Sequence, residues 1–313
     1  RLRELESGGG IGCNFAVTAA ASVDLNARAR RGTLPRRPEF LAVGPPRTAT
    51  TWLDQALRGH VGLPANRKET DFFKRNYARG IDWYLDYFRD CPPDLPCGEV
   101  CPTLFQLPEA RERVVRDFPE MRIIVTLRDP VARAYSYYRF MRKLAWVSTG
   151  FEEAVESRRD IRDGNRYAHH IREWQRLFGA DRVLVLINDD LRISAQGYID
   201  RFCDFVGAPR FRLDESISIS DEVNGVARAP RNKLLAQAAR QLRTWLGDHN
   251  WHGTNRSLER LGVWRFCQGG GQEFPPLDVA TDARVRALFA AEVEQLERLI
   301  GRDLSAWRTP RRE

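Results

Sequence analysis

The chain has 313 residues, 42% hydrophobic and 29% charged, enough for a sizeable core in one large α/β domain or two small ones. Its formal net charge is +8, and only Lys68, Lys74, Lys143 and Lys233 among its 50 basic residues are lysine; this balance fits an anionic partner, and equally a plain preference for arginine. The basic residues are spread without a Lys/Arg block or a nucleic-acid-binding motif, and no run of 18 apolar residues occurs, so neither nucleic-acid binding nor a transmembrane helix is expected.

Residues 1–37 hold Gly8-Gly9-Gly10, an Ala-rich stretch and the basic run Arg28-Ala29-Arg30-Arg31. They read as a poorly ordered or spurious extension, and the apolar piece from Phe15 to Val23 lacks a signal-peptide layout. A single domain is expected over 38–310. It opens with Phe40-Leu41-Ala42-Val43, an apolar run stopped by Gly44-Pro45-Pro46 and therefore a short buried strand. A helix is expected from Thr50 to Arg58, with Trp52, Leu53, Ala56 and Leu57 on its apolar face. A short strand should precede Lys68. A second strong strand is Arg122–Leu127, followed by a helix from Val131 to about Leu144, with Pro130 in the first turn where its missing N–H is harmless. A third strand is Val183–Ile187, before a helix from about Gly197 to Val206. Arg228 to Trp245 reads as a basic helix, 246–277 as a long irregular excursion, and Ala283 to Ile300 as the last helix. Strands alternating with helices predict a mainly parallel sheet covered on both faces.

The six cysteines include the cluster Cys91, Cys97 and Cys101, with no CxxC pair and no histidine at zinc-site spacing. A local pairing within the cluster is one reading; ordinary reduced thiols of a cytoplasmic protein are the expectation. The five histidines have no motif around them.

Two segments carry anion-binding chemistry. Gly44-Pro45-Pro46-Arg47-Thr48-Ala49-Thr50-Thr51-Trp52 lies between a strand and a helix. Outward-facing backbone N–H groups and the helix dipole favour negative charge there; Thr48, Thr50 and Thr51 add hydroxyls, and Arg47 a permanent charge. The segment lacks the Gly-Lys-[Ser/Thr] of nucleotide kinases, and a Thr-capped helix after a Pro-rich turn is the plainer reading. The second segment, Arg128-Asp129-Pro130-Val131-Ala132-Arg133-Ala134-Tyr135-Ser136, puts a guanidinium at a strand's carboxyl end and a hydroxyl in the following helix, which together can hold a phosphate.

These strings resemble the sulfotransferase family, most closely the heparan-sulfate N- and 3-O-sulfotransferase branch and its bacterial relatives. The first is similar to the 5′-phosphosulfate loop G-x-x-[KR]-[ST]-G-T-[ST], with Arg47 in the basic position and Ala49 where glycine is usual. The second is similar to the 3′-phosphate motif R-[DN]-P-x-x-R-x-x-S-x-[YW], with Arg128 and Ser136 as its phosphate ligands. The resemblance implies a P-loop kinase-like α/β sandwich of three layers around a central parallel sheet. It implies 3′-phosphoadenosine-5′-phosphosulfate (PAPS) as co-substrate, held by Arg47, Thr48, Ala49, Thr50, Thr51, Trp52, Arg128 and Ser136. A late loop with Asn224, Arg228 and Arg231 is a looser match and reads equally as a basic loop and helix start.

Attack on sulfur by a hydroxyl needs a proton acceptor, which a carboxylate can supply. Glu69 in Lys68-Glu69-Thr70-Asp71-Phe72-Phe73 resembles the family's catalytic glutamate, with Lys68 holding acceptor or phosphosulfate charge; a surface Lys–Glu pair beside a buried Phe pair is the alternative. Gly80–Leu85, Gly98-Glu99-Val100-Cys101-Pro102 and Gly301–Trp307 extend the likeness. The implied reaction transfers a sulfuryl group to a hydroxyl or amine of a glycan, lipid or small metabolite, and this chemistry requires no metal. The rivals are an ATP-dependent phosphotransferase and a non-catalytic binder of anionic glycans.

Overall fold

The computed structural model describes residues 35–214, 216–217, 228–248, 251–268 and 270–310. Four strands, β1 (Phe40–Ala42), β2 (Gly98–Val100), β3 (Arg122–Leu127) and β4 (Val183–Ile187), form one sheet in the order β2-β1-β3-β4. Every neighbouring pair is parallel, with Phe40 opposite both Gly98 and Arg122, and Ile123 opposite Val183.

Side-chain alternation splits the strands between two cores. Leu41, Ile123, Val125 and Leu127 face a cluster with Ala110 and Val114 of helix Pro108–Asp117, Ile171 and Trp174 of helix Tyr167–Phe178, and Val293 and Leu296 of helix Val279–Ile300. Phe40, Ala42, Val100 and Ile124 face the other, closed by Trp52, Leu53, Ala56 and Leu57 of helix Thr50–Leu57 and by Tyr198, Ile199 and Phe202 of helix Ala195–Val206. The result is the expected three-layer α/β arrangement. The chain leaves β1 towards β2 on one side and β3 towards β4 on the other, so the direction of winding reverses between β1 and β3. A crevice at such a reversal is where open α/β sheets bind ligands.

Several elements depart from expectation. β2 was not foreseen, because three residues are too few to show alternation. Its Gly98 is demanded by packing, since a Cβ there would stand 2.2 Å from Phe40 O. The short strand expected before Lys68 is reduced, among the described residues, to the isolated bridges Arg58–Val61 and Gly62–Cys97. Arg228 lies not in a helix but in β5 (Arg228–Pro230), antiparallel to β6 (Gly270–Glu273). The helix starts only at Lys233, where the Asn232 side chain accepts from the N–H groups of Leu234 and Leu235 at 2.9 and 3.2 Å. The expected irregular excursion contains helices His252–Arg260 and Val263–Gln268. They are organised by burial of Trp264 against Ala239 and Leu246, a tertiary effect with no local signal.

The loop after β1 crosses β3 closely. A Cβ on Gly44 would stand 2.1 Å from Thr126 Oγ1 and 2.3 Å from Thr126 O. Both are part of the buried sheet, so neither can yield cheaply. Gly44→Ala is expected to lower unfolding free energy by about 2–4 kcal/mol or prevent folding, as overpacking of a rigid core does. Gly150→Ala, where a Cβ meets nothing within 4 Å, should change it by under about 0.5 kcal/mol. Equal urea-unfolding midpoints for the two variants would contradict this.

Candidate functional site

The carboxyl end of β1 runs into a loop with two non-glycine residues in the left-handed region, Arg47 (φ 81°) and Ala49 (φ 62°). Ala49 caps helix Thr50–Leu57 without a side-chain hydrogen bond, and its carbonyl accepts from Leu53 N–H at 3.0 Å. Where a glycine would sit without strain, alanine costs about 1–2 kcal/mol. The first turn of the helix therefore presents backbone N–H groups at the mouth of the β1–β3 crevice, the arrangement that binds anions.

The second loop is pinned from several sides. Asp129 Oδ1 accepts from Ala132 N–H at 2.8 Å and so caps helix Pro130–Lys143. Asp129 Oδ2 accepts from Arg286 at 2.6 Å, and the Arg128 carbonyl accepts from the Tyr167 hydroxyl at 3.0 Å. This fixes the backbone carrying half-buried Arg128. The two loops meet directly, for Arg47 Nε donates to Ser136 Oγ at 3.0 Å, and the Arg47 guanidinium lies 5.6 Å from the Phe140 ring centre.

Lys68 and Glu69 close the same mouth. Lys68 Nζ donates to Thr50 Oγ1 at 3.3 Å, to Thr51 Oγ1 at 3.4 Å and to Glu69 Oε1 at 3.4 Å. The structure thus gathers Thr50, Thr51, Lys68 and Glu69 into one set of contacts and Arg47 with Ser136 into another, both built on the loop and first helical turn after β1. Burial pushes the Glu69 carboxyl above the ordinary range and Asp71 adds to this, against the pull of Lys68. Its side chain, beside the Lys68 cation, is still 28% exposed, so the carboxylate remains within reach of a group that enters the mouth.

Other predicted residues lie elsewhere. The Thr48 hydroxyl points inward, donating to Pro45 O at 2.8 Å and meeting Thr126 Oγ1 at 2.7 Å with no exposure. Its side chain braces the loop and is not a ligand. The Trp52 ring is in the core, edge-on to Tyr198 at 5.9 Å, because helical spacing turns position 52 inward with Leu53 and Ala56. Arg228 pairs with Glu273 at 2.7 Å, and Arg231, just after β5, donates to Gly270 O at 3.2 Å; both are exposed at the small β5–β6 sheet. Asn224 lies outside the described residues. His170 is pushed down to about 4 by burial, and His60 stacks on Phe211 at 3.5 Å. A cleft of about 350 Å³ lined by Tyr135, Tyr138, Arg142 and Phe274 contains none of the predicted residues.

Glu99 on β2 lies in a string that extends the family likeness, but no role for it follows from the sequence alone. It is 1% exposed and accepts from both Thr70 N–H and, at 3.0 Å, Thr70 Oγ1. It therefore clamps the residue next to Glu69. The only signal in the sequence is an acidic residue between Gly98 and Val100, since the strand that buries it is itself not legible. Glu69, Asp71 and Cys101 place ligand atoms within 4.8 Å of one another. Burial and Glu99 keep the Cys101 thiol protonated, so this grouping is mainly a carboxylate pair.

Burial raises Glu99 from 4.5 to about 7. The folded protein thus holds a proton that the unfolded chain releases between pH 4.5 and 7. Stability from this group is complete below pH 4.5 and is lost as pH rises to about 7 and beyond. The loss should be on the order of 1–3 kcal/mol. Glu99→Gln cannot ionise, so urea unfolding at pH 5 and pH 8 should show a smaller difference than wild type by that amount. Identical pH dependence would remove Glu99 from the account.

Residues 37–222 match the family described as sulfotransferase domain. Over 212 residues the chain is 30% identical to mouse bifunctional heparan sulfate N-deacetylase/N-sulfotransferase 3 and 31% identical to the human protein of that name, covering 59% of this chain and 24% of each relative. The chain thus spans about a quarter of the length of these curated relatives. Among solved structures, a sulfotransferase from Alicyclobacillus acidocaldarius matches with a TM-score of 0.63 at 20% identity, over 88% of this chain and 100% of that one, a likeness of fold.

Proposed function

Because this chain belongs to the sulfotransferase domain family, we propose that it moves a sulfuryl group from PAPS to a hydroxyl or amine of a glycan, lipid or small metabolite, releasing adenosine 3′,5′-bisphosphate. The observation that carries this reading is the 3.0 Å contact between Arg47 and Ser136. It joins the loops of two adjacent strands, each suited to an anion, as a nucleotide with phosphates at both ends requires. The N–H groups of Ala49 to Thr51, with Arg47 and Lys68, would hold the phosphosulfate; Arg128 and Ser136 would hold the 3′-phosphate.

The acceptor oxygen attacks sulfur in line with the bond to the leaving phosphate. Glu69 takes its proton as the new S–O bond forms and the old one breaks. The leaving phosphate gains charge, which Arg47 and Lys68 neutralise without reorganisation. Lys68 touches Thr50, Thr51 and Glu69 at once, so one cation couples donor loop and base. Such catalysis is positioning and electrostatics, the effect that dominates phosphoryl transfer.

Adenosine 3′,5′-bisphosphate at ~100 times its dissociation constant should stabilise the native protein by about 2.7 kcal/mol, visible as a higher Tm, while ADP should do much less. Arg128→Ala should abolish that distinction. Equal shifts with the two nucleotides would refute the 3′-phosphate site.

Glu69→Gln should lower turnover by ~10²–10⁴-fold and leave affinity for adenosine 3′,5′-bisphosphate nearly unchanged. Undiminished turnover with chemistry rate-limiting would transfer the role of base elsewhere. Loss of nucleotide affinity together with turnover would show that Glu69 supports the donor loop instead.

A further inference from the structure

Away from the proposed donor site, Cys91 and Cys97 converge over Gly62. A Cβ on Gly62 would stand 2.7 Å from Cys91 Sγ, 2.8 Å from Cys91 Cβ and 2.7 Å from Cys97 Cβ. Both side chains therefore flank one point, and only glycine leaves them room. The backbone holds this geometry. Gly62 N–H donates to Pro96 O at 2.9 Å, and Gly62 O accepts from Gly98 N–H at 2.9 Å, so Cys97 bridges Gly62 in parallel. Arg36 gathers the intervening loop, donating to the carbonyls of Pro92, Pro93 and Leu95, and is itself held by Glu39 at 2.7 Å. Three of the five residues between the cysteines are proline, which leaves the loop few alternative conformations. The close approach is built into the fold, and both residues are free thiols in it: Cys91 Sγ donates to Leu63 O at 3.8 Å and Cys97 Sγ to Arg37 O at 3.2 Å, contacts that a bond between them would replace.

We propose that Cys91 and Cys97 form a reversible dithiol–disulfide pair, with the half-buried Cys91 as attacking thiol and the buried Cys97 as resolving thiol. The thiols differ in the sense this requires. Hydrogen bonding between them, helped by Arg36, holds Cys91 below the ordinary thiol range, while the same bond and burial push Cys97 above it. The oxidant is a small-molecule disulfide such as oxidised glutathione. Cys91 thiolate attacks one of its sulfurs, the oxidant's S–S bond breaks, and one glutathione thiolate leaves. Cys97 then gives its proton to water and attacks the Cys91 sulfur, expelling the second glutathione thiolate. The protein loses two hydrogens, the oxidant is reduced to two thiols, and excess reduced thiol reverses both steps. The product closes a short loop at the entry to β2 and should act as a staple.

The test is to equilibrate the folded protein with oxidised glutathione, quench with acid, and read intact mass and the tryptic peptide 90–111, which carries Cys91, Cys97 and Cys101. The expected result is a loss of two hydrogens with no retained glutathione and a bond located by fragmentation between Cys91 and Cys97. Tm should rise by about 3–5 °C and return on adding dithiothreitol. Cys91→Ser, altering the more accessible partner, should abolish both changes. A glutathione adduct that persists on Cys91, a bond that involves Cys101, or thiols unchanged after equilibration would each overturn the pairing. The wild-type mass measurement decides the matter even if a variant folds poorly.

Discussion

The arrangement depends on a contact with no room for a side chain. The loop after β1 passes over Thr126 of β3 so closely that a single Cβ on Gly44 would collide with backbone and hydroxyl together. At that crossing Thr48 and Thr126 share a buried hydroxyl contact of 2.7 Å. Two loops leaving neighbouring parallel strands would ordinarily splay apart as the strands twist. Here the first is drawn against the second strand just before Arg128 begins the second loop. Arg47 can then reach Ser136, although the two are far apart in sequence. The loop's left-handed residues belong to the same constraint, since the chain must turn from the crossing straight into a helix and Ala49 accepts strain to do so.

Charge at the mouth follows from this geometry. One lysine stands among two threonine hydroxyls and a carboxylate, with Asp71 and Glu99 behind. Were all three acids ionised, their repulsion would fall on Glu69, the proposed base and the most exposed of the three. Burial relieves this by keeping Glu99 protonated up to about pH 7. Glu99 therefore acts in two ways: as a hydrogen-bond acceptor it sets the direction of the Glu69–Thr70 peptide, and as a largely neutral acid at mildly acidic pH it spares Glu69 a second negative neighbour.

The parts legible in the sequence were those whose cause is local. β3 and β4 are mostly apolar runs, and their bounds were read as found. The helix after Pro130 announces itself by that proline; that Asp129 caps it was not read from the sequence. Arg47, Lys68, Glu69, Arg128 and Ser136 came from loop chemistry together with the family resemblance, and the structure brings Arg47 to Ser136 and Lys68 to Glu69, while their roles stay proposals. What was illegible depends on contacts distant in sequence. Thr48 and Thr50 are alike in type and differ only in which way the loop turns them, so the inward path of Thr48 could not be read from composition. Trp52 belongs to the apolar face recognised in the helix, and that membership conflicted with a ligand role. β2 exists because β1 offers it an edge, and the small helices after Trp251 exist because Trp264 finds a buried partner. The Cys91–Cys97 approach needs Gly62, separated from both by the segment that carries Glu69.

The far end of the chain returns to the same place. Arg286 is 2% exposed and bonds Asp129 at 2.6 Å, Asp282 at 2.8 Å and the Trp307 carbonyl at 2.7 Å. Taking a guanidinium and two carboxylates out of water is expensive, and a buried ion network is a weak source of stability. Its effect is better read as positional. Asp129 must cap the helix bearing Ser136 with one oxygen while the other is held by a group on helix Val279–Ile300, so both edges of the Arg128 turn are specified. The Trp307 indole N–H donates in turn to Asp189 at 2.7 Å, just after β4. An apolar packing of the same volume would have no preference for one rotation of the Asp129 carboxylate, whereas a charged and directional one does. The chain places its charged groups inside the protein at the point where the backbone carrying a proposed phosphate ligand has to be held in one orientation.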